Sequence, residues 1–413
     1  MTINRKKPKW LLIVSLLAVF AVVAAACADD EDEAAPPATT AAPDAAPEPT
    51  DEPAPEPVAE APRTQGPGGE EAVASSEVSL SDEEVAEVQG GGYTAALLWH
   101  TAGAFTDAVS QGARDAFAEL GIEVIAETNA QFDAAQQAND VETVMALSPD
   151  IIISLAIGPD AGAEAFRPAV DAGVQLVFLS NVPQGYVHGQ DYVGIVTDDL
   201  AAMGITAADL LADALGGEGE IGYIFHDAAY YVTNQRDQAF KTWIEINYPG
   251  IEIVAEQGLA DPAAAEEIAT AMLTRNPNLD GIYAPWSAGP ADGVLAALRA
   301  AGASDVALVT MDLDTNVSLD MVEGGNVVGI AADEAYNLGR TMAIEGAYGL
   351  LGKPAPAFAV VPAIGVTADN IVDGYRQSLA ADPPQEVLDA LGMAVPVAEA
   401  PRTQGPGGEE AVA

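Results

Sequence analysis

Polar or aromatic residues follow directly on six apolar runs of the sequence, where they could take part in binding or catalysis. In chain order they are Trp99-His100, Ser180-Asn181, His226-Asp227, Trp286-Ser287, Asp312 and Asp333. If the apolar runs are strands of open parallel sheets, ligands bind outside the carboxyl ends of those strands. One polar group at a strand end is ordinary, but six in succession predict a binding site for a small molecule.

The sequence lacks the common motifs of hydrolytic and nucleotide-dependent enzymes. It contains no Gly-x-Ser-x-Gly, no His-Glu-x-x-His and no Gly-x-x-x-x-Gly-Lys, and its histidines, His100, His188 and His226, are far apart. The single cysteine, Cys27, excludes an intrachain disulfide and a cysteine-based metal site. We therefore expect a protein that uses no cofactor and no metal and that is not an enzyme.

An acidic stretch after the apolar run 306–311 has the spacing of a calcium loop. Its oxygen-bearing residues are Asp312, Asp314, Asn316, Asp320 and Glu323. However, Val317 occupies the position where the sharp turn of such a loop requires glycine, and a strand precedes the stretch instead of a helix. The pattern favours a short helix around Val317, with Asp312 left at the strand end.

The region from Tyr93 onward alternates apolar runs with amphipathic segments. The predicted strands are 95–99, 122–126, 151–156, 176–179, 193–196, 221–225, 251–255, 281–284, 306–311, 327–331 and 358–361. The predicted helices are 105–120, 133–147, 162–172, 200–215, 234–246, 262–274, 290–301 and 334–351. Continuous apolar strands joined by helices indicate parallel sheets covered on both faces. So many strands favour an α/β fold of two doubly wound parallel-sheet lobes over one wide sheet.

The charge of the chain excludes nucleic acid as a partner. There are 63 acidic residues against 15 Lys and Arg, which gives a formal net charge of −48. Phosphate backbones and anionic lipid headgroups repel such a surface. Outside the first ten residues the sequence contains no cluster of bases that would offset this repulsion.

The N-terminus has the pattern of an export signal. Four basic residues precede the uncharged apolar run 10–26, which ends immediately before Cys27. This predicts a signal peptide over 1–26. Cys27 resembles the acylated cysteine of a bacterial lipoprotein, which would tether the mature protein to a membrane. An uncleaved N-terminal anchor remains the alternative, although the run is shorter than the roughly 20 apolar residues that a membrane span needs.

Residues 27–92 are predicted to be a lipidated, acidic, proline-rich linker. The stretch contains ten prolines and eighteen acids, a composition that buries too little apolar surface to offset chain ordering. Within it, Ser81 and Glu84 indicate a capped helix over 80–88. The 18 residues of 57–74 recur without change at 396–413. We expect both copies to be spacers, the second lying in a disordered tail, 392–413.

From Tyr93 to about Leu391 the sequence resembles the type I periplasmic sugar-binding proteins of ABC transporters, in their ribose-binding-like branch. The segments that carry the resemblance, in order and spacing, are 105–112, 149–152, 172–178, 234–240, 276–282 and 309–312. The resemblance implies two similar lobes that close on a ligand, joined by three crossings near Thr197, Ala332 and Val361. Lobe 1 would comprise 93–197 with 334–361, and lobe 2 would comprise 198–333 with 362–391.

The resemblance also implies which residues contact the ligand. Together with the strand-end pattern it gives Trp99, His100, Phe105, Ser180, Asn181, Arg236, Trp286, Asp312 and Asp333 as ligand-binding residues. Aromatic rings suit the C–H faces of a sugar, and Asp, Asn and Arg suit its hydroxyls. The ribose-type pattern differs at Gly103, Ser180-Asn181 and Trp286, which favours a larger or differently hydroxylated sugar or polyol over ribose.

The function implied is that of an extracytoplasmic, lipid-anchored and monomeric solute-binding protein. It would deliver a small sugar or polyol to an ABC permease and its ATPase. Two alternatives stay open at this point: a sensory protein whose cleft feeds a receptor, and a hydrolase that uses Asp312 and Asp333. A repressor's effector domain, which shares the fold, is disfavoured by the export signal and the acidic charge.

Overall fold

The computed structural model describes residues 61–393, and the strands of this part of the chain form two separate sheets. The predicted signal peptide, Cys27, the first part of the predicted linker and nearly all of the predicted tail lie outside the described residues.

A first sheet of seven strands forms lobe 1 and a second of six forms lobe 2, counted over residues 61–393. The strands are β1 (Val73–Ala74), β2 (Thr94–Trp99), β3 (Glu123–Asn129), β4 (Ile151–Ser154), β5 (Gln175–Leu179), β6 (Gly194–Asp198), β7 (Gly219–His226), β8 (Ile251–Leu259), β9 (Gly281–Tyr283), β10 (Ala307–Met311), β11 (Val327–Asp333), β12 (Phe358–Val361) and β13 (Ala363–Val366). Their orders are β1-β12-β6-β5-β4-β2-β3 and β13-β11-β10-β9-β7-β8. All pairs are parallel except β11–β13. The predicted α/β class with two doubly wound lobes is confirmed.

Helices pack on the sheets and bury the apolar strands. They are α1 (Asp82–Gln89), α2 (Ala104–Glu119), α3 (Ala134–Met145), α4 (Pro159–Asp171), α5 (Leu200–Leu215), α6 (Tyr231–Asn247), α7 (Ala265–Arg275), α8 (Asp292–Ala301), α9 (Thr315–Val322), α10 (Ala335–Leu350), α11 (Ile371–Leu379) and α12 (Gln385–Ala390). Each strand and helix expected from Tyr93 onward has a counterpart, and β13, α11 and α12 were not predicted. None of the helices between residues 61 and 393 is long and apolar enough to cross a membrane.

The chain passes between the lobes three times. It leaves lobe 1 after Asp198, returns after Asp333 and leaves again at Pro362, between β12 and β13. Each crossing lies one residue beyond the position that the resemblance implied. Two of the three crossings therefore begin with a carboxylate at the carboxyl end of a strand.

Helix α10, which follows the second crossing, packs closely against α2. A Cβ atom on Gly112 would lie 1.9 Å from the carbonyl oxygen of Tyr336, and one on Gly339 would lie 1.9 Å from that of Val109. Glycine is the residue that permits such close backbone approach. The contact fixes α2, whose N-terminal end faces lobe 2.

Residues 61–92 pack on the body, which corrects their assignment to the linker. Val78 and Val88 are buried in the core of lobe 1, and β1 joins the edge of its sheet at β12. The capping box of Ser81 and Glu84 forms as predicted and begins α1. Composition averaged over 27–92 concealed these two valines, of which Val78 precedes α1 and Val88 is the buried residue of α1.

Candidate ligand-binding site

A cavity of about 200 Å³ lies between the lobes, at the carboxyl ends of both sheets. Lobe 1 lines it mainly with small and apolar residues, and with His100, Phe105, Phe132 and Ser180. Lobe 2 contributes most of the charged and aromatic groups, which are His226, Tyr230, Arg236, Trp286, Asp312 and Asp314. The charged groups therefore lie on the lobe 2 side of the cavity, and the lobe 1 side is mostly small and apolar.

A buried arginine on α6 organises the charged side of the cavity. Arg236 Nε donates to Asp198 Oδ2 at 2.7 Å, and its Nη1 donates to Asp312 Oδ1 at 3.1 Å and to Oδ2 at 3.3 Å. Its Nη2 lies 3.9 Å from Asp333 Oδ2. The arginine is only 4% exposed. One cation thus joins acids from the first crossing, the second crossing and the end of β10.

The protonation of this cluster follows from burial and from the three neighbouring acids. Burial opposes the charged guanidinium, but Asp198 and Asp312 raise the pKa of Arg236 well above its usual value. Burial also raises the pKa of Asp333 well above its usual value, and the charges of Asp198 and Asp312 add to this effect. Among the described residues, Asp333 Oδ2 has no hydrogen-bond partner. Asp333 therefore holds a proton more readily than Asp312.

Unusual backbone conformations gather at the cavity. Phe132, Ser180 and Asp312 have φ values of 59°, 58° and 65°, and Gln131, which precedes Phe132, has 52°. Such left-handed conformations are unfavourable for residues other than glycine, and they concentrate at functional sites. Each of these residues lies just beyond the carboxyl end of a strand.

Six of the predicted contact residues line the cavity: His100, Phe105, Ser180, Arg236, Trp286 and Asp312. The other three, Trp99, Asn181 and Asp333, do not line the cavity, so the prediction is corrected at these positions. Trp99 belongs to the core of lobe 1, where its indole donates to Ser110 Oγ at 2.7 Å. Side chains alternate faces along a strand, so the side chain that reaches the cavity is that of the next residue, His100.

Asn181 and Asp333 do not line the cavity; each contacts a residue of α6 instead. Asn181 Oδ1 accepts from the amide of Val232 at 3.3 Å, which links lobe 1 to α6. Asp333 is 2% exposed and does not line the cavity. Its carboxyl group lies 3.9 Å from Arg236 Nη2, so we expect it to affect a ligand through the charge cluster.

Phe132 lines the cavity and was missed by sequence reasoning. Its side chain is 50% exposed, and its ring packs edge-on against His100 with 5.1 Å between the ring centroids. Strand β3 extends to Asn129 through alternating polar residues, whereas the apolar run ends at Ala126. An aromatic residue immediately before the helix cap Asp133 was the available signal.

Two imidazoles face the cavity from opposite lobes, His100 from lobe 1 and His226 from lobe 2. Burial lowers the pKa of His100 to about 4, and it also lowers the pKa of His226. Trp286 packs against His226 with 4.9 Å between the ring centroids. Both imidazoles are therefore neutral at pH 7, and each can donate one hydrogen bond and accept another.

We expect Phe132→Ala to weaken ligand binding without lowering stability. The exposed ring has little packing to lose, whereas stacking on a ligand contributes about 1 kcal/mol, so affinity should fall roughly fivefold to tenfold. Titration calorimetry and urea denaturation measure the two quantities. Leu147→Ala, at another exposed apolar residue away from the cavity, is the control. Equal affinities for parent and Phe132→Ala would contradict a role for this ring.

A second prediction concerns Asp237, which accepts hydrogen bonds from the His226 amide at 2.8 Å and from the Tyr283 hydroxyl at 2.6 Å. Burial raises its pKa to about 7. The folded state therefore holds a proton that the unfolded chain releases near pH 4, and stability falls as the pH rises from about 4 to 7. Asp237→Asn mimics the protonated group, so it should abolish this fall and be more stable than the parent at pH 8.

Urea denaturation of both proteins at pH 5 and pH 8 measures this effect. The expected advantage of Asp237→Asn at pH 8 is on the order of 3 kcal/mol. Asp305→Asn, which replaces an exposed carboxyl group, is the matched control. Parallel profiles for Asp237→Asn and the parent would show that Asp237 is ionised in the folded protein across this range.

Two doubly wound lobes, joined by three crossings and enclosing a cavity at the carboxyl ends of both sheets, define a two-lobed ligand-binding protein. No group of three or more His, Cys, Asp or Glu side chains within residues 61–393 could hold a metal ion. The family model described as a periplasmic binding protein domain matches residues 95–354. The chain belongs to this family, as the resemblance predicted.

Curated relatives and solved structures agree with this assignment. The chain is 26% identical over 219 residues to the ABC transporter periplasmic-binding protein YphF of Escherichia coli, covering 52% of this chain and 66% of that relative, just under two thirds of it. It is 24% identical over 247 residues to a D-apiose import binding protein of Actinobacillus succinogenes, covering 58% and 76%. A solute-binding protein from Agrobacterium vitis, bound with alpha-D-tagatopyranose, shares the fold with a TM-score of 0.63 and 22% identity, covering 70% of this chain and 99% of that one.

Proposed function

We propose that this protein binds a small sugar or polyol between its lobes and delivers it to the permease of an ABC transporter. The observation that carries the proposal is the pairing of Arg236 with Asp312 at the cavity wall. The carboxylate accepts hydrogen bonds from neighbouring hydroxyls, and Arg236 fixes it in place. Burial raises the pKa of Asp312, and the charge of Arg236 opposes this rise. Phe105, Phe132 and Trp286 provide flat apolar surfaces for C–H faces. This combination matches a ring that carries hydroxyls on its rim.

The relatives support the class of ligand and the transport role. One is named for import of D-apiose, and the Agrobacterium vitis protein was solved with a tagatopyranose. YphF is named an ABC transporter periplasmic-binding protein, which supports an extracytoplasmic location for this protein, with a permease and its ATPase as its proposed partners. The Thr233 hydroxyl lies 2.7 Å from His226 Nδ1 in the cleft, but it donates to the Tyr230 carbonyl at 3.4 Å, so the imidazole donates to this hydroxyl instead of taking its proton. Binding without bond chemistry is therefore the function that this geometry favours over hydrolysis. A sensory role would use the same cleft and remains the second candidate.

The direct test is to titrate the purified protein with pentoses, hexoses and polyols and to measure binding by tryptophan fluorescence and by calorimetry. Trp286 should report binding, because it lines the cavity. Trp243, whose indole donates to Asp209 at 2.6 Å in lobe 2, is the matched control. The signal should shrink in Trp286→Phe and survive in Trp243→Phe. Recovery of chemically altered ligand, or no binding across the panel, would contradict the proposal.

The membrane anchor gives a separate prediction. If Cys27 is acylated, Cys27→Ala should move the protein from the membrane fraction to the soluble fraction, while ligand affinity stays the same. Cell fractionation and calorimetry measure the two effects. Cys27→Ala protein that stays in the membrane fraction would instead favour an uncleaved N-terminal anchor.

A further inference from the structure

A segment at the N-terminal end of the described chain lies in a groove that runs from the start of α5 in lobe 2 to β12, and it ends as the edge strand of the lobe 1 sheet. We call residues 61–74 the docked segment. The Thr64 hydroxyl donates to Asp199, the N-cap of α5, and accepts from the amide of Ala201 at 2.8 Å. The first amides of a helix lack partners within the helix, so Thr64 satisfies a group that would otherwise need water. The docked segment is thereby fixed to lobe 2.

The following residues turn and join lobe 1. The Gly66 amide donates to the Glu70 carbonyl at 2.9 Å, and Gly69 has a φ of 87°, which glycine alone adopts freely. The Tyr231 hydroxyl donates to the Gln65 carbonyl. Residues 73–74 then add to the sheet edge as β1, in parallel register with 359–360. Addition of a strand to an exposed edge is a common mode of peptide recognition.

Every one of these docking contacts comes from a residue inside the duplicated sequence. Residues 57–74 and 396–413 are identical, so Thr403, Gln404, Gly408 and Val412 correspond to Thr64, Gln65, Gly69 and Val73. The second copy therefore carries every hydroxyl, carbonyl and glycine that the groove contacts. Its docking would bury the same surfaces and form the same hydrogen bonds.

We propose that the groove is a docking site for either copy, and that residues 396–413 of the same molecule compete with the docked segment for it. Helix α12 packs in the core of lobe 2, the lobe that also holds Thr64, and the described chain ends at Met393. Ten extended residues separate Met393 from Thr403 and span about 35 Å, roughly the width of one lobe. Tethering on this scale gives an effective concentration in the millimolar range, which favours docking within one molecule.

Exchange of the two copies would change the body only locally. Val78 and Val88 hold the chain beyond the docked segment in the core of lobe 1, so these residues stay in place when 61–74 leave the groove. The released residues then lengthen the chain that leads to the N-terminus. The lobes stay bridged, but by a segment that enters from the C-terminal side.

Disulfide trapping in the full chain tests the proposal. With Cys27→Ala, the introduced pair would be the sole cysteines of the chain. Ala74→Cys with Val360→Cys joins register partners and traps the first copy, whereas Ala413→Cys with Val360→Cys forms a bond only when the second copy is docked. Ala413→Cys with Glu386→Cys, an exposed residue on α12, measures random collision.

The second copy should be trapped within one molecule, and faster than the Glu386→Cys control. Thr64→Val removes the hydroxyl contacts of the first copy and should raise this trapping roughly fivefold to tenfold, and Thr403→Val should lower it by a similar factor. Trapping no faster than collision, or only between molecules, would overturn the proposal. Failure of the Ala74→Cys pair to close would show that the groove is not occupied as described.

Discussion

Replacing Arg236 with methionine should abolish ligand binding and reduce the free energy of unfolding by about 3 to 5 kcal/mol, the usual cost of removing one partner of a buried ion pair. The guanidinium is almost fully buried and balances Asp198 and Asp312 directly. Without it, the three carboxyl groups of Asp198, Asp312 and Asp333 must share a water-poor site with no cation. Urea denaturation and calorimetry measure the two losses.

The control for this prediction is Arg376→Met. Arg376 pairs with Asp382 at 2.8 Å, and both side chains are largely exposed, so its loss should cost less than about 1 kcal/mol. Adding Asp198→Asn to Arg236→Met should restore part of the stability, because it removes one buried charge, but it should not restore binding. An Arg236→Met protein that binds ligand as tightly as the parent would remove the charge cluster from the binding site.

Asp312→Ala should weaken ligand binding by roughly tenfold to several hundredfold, because each ligand hydroxyl left buried without a partner costs about 1 to 3 kcal/mol. The carboxylate lines the cavity, and both of its oxygens are within 3.3 Å of Arg236 Nη1. Its remaining lone pairs are available to the ligand. Calorimetry with the sugar or polyol identified by screening gives the change in affinity.

Asp333→Asn separates direct contact from an effect of the charge cluster. Asp333 shares the cluster but does not line the cavity, so its neutral variant should alter affinity far less than Asp312→Ala. If the two variants weaken binding equally, the acids act through the position of Arg236 and Asp312 does not touch the ligand.

The fold was predictable from sequence because buried parallel strands are continuous apolar runs, and the pattern persists through both lobes. The site was only partly predictable. Trp99 and His100 are neighbours in the sequence, and which of the two faces the cavity depends on the register of β2. Asp198 was missed because its role exists only through Arg236, which lies 38 positions away along the chain and approaches only in the folded protein.

Composition did not predict that residues 61–92 pack on the body, because only a few residues make the attachment. The stretch 61–92 is rich in acids, proline and glycine, yet Thr64, Val78 and Val88 attach it to the body through a helix end and a core contact. Average hydrophobicity cannot show that a particular hydroxyl meets the N-terminal amides of α5. Such contacts require the positions of both partners.

The positions of Asp198 and Asp333 at two crossings also bear on how the protein tolerates its medium. If the lobes rotate about these crossings, atoms near the crossings move least, so the buried pair of Asp198 with Arg236 should persist through that motion. Dissolved ions screen exposed charges but reach buried ones poorly. Although the chain carries a net charge of −48, we expect the closing equilibrium, and with it ligand affinity, to change little from dilute buffer to molar salt.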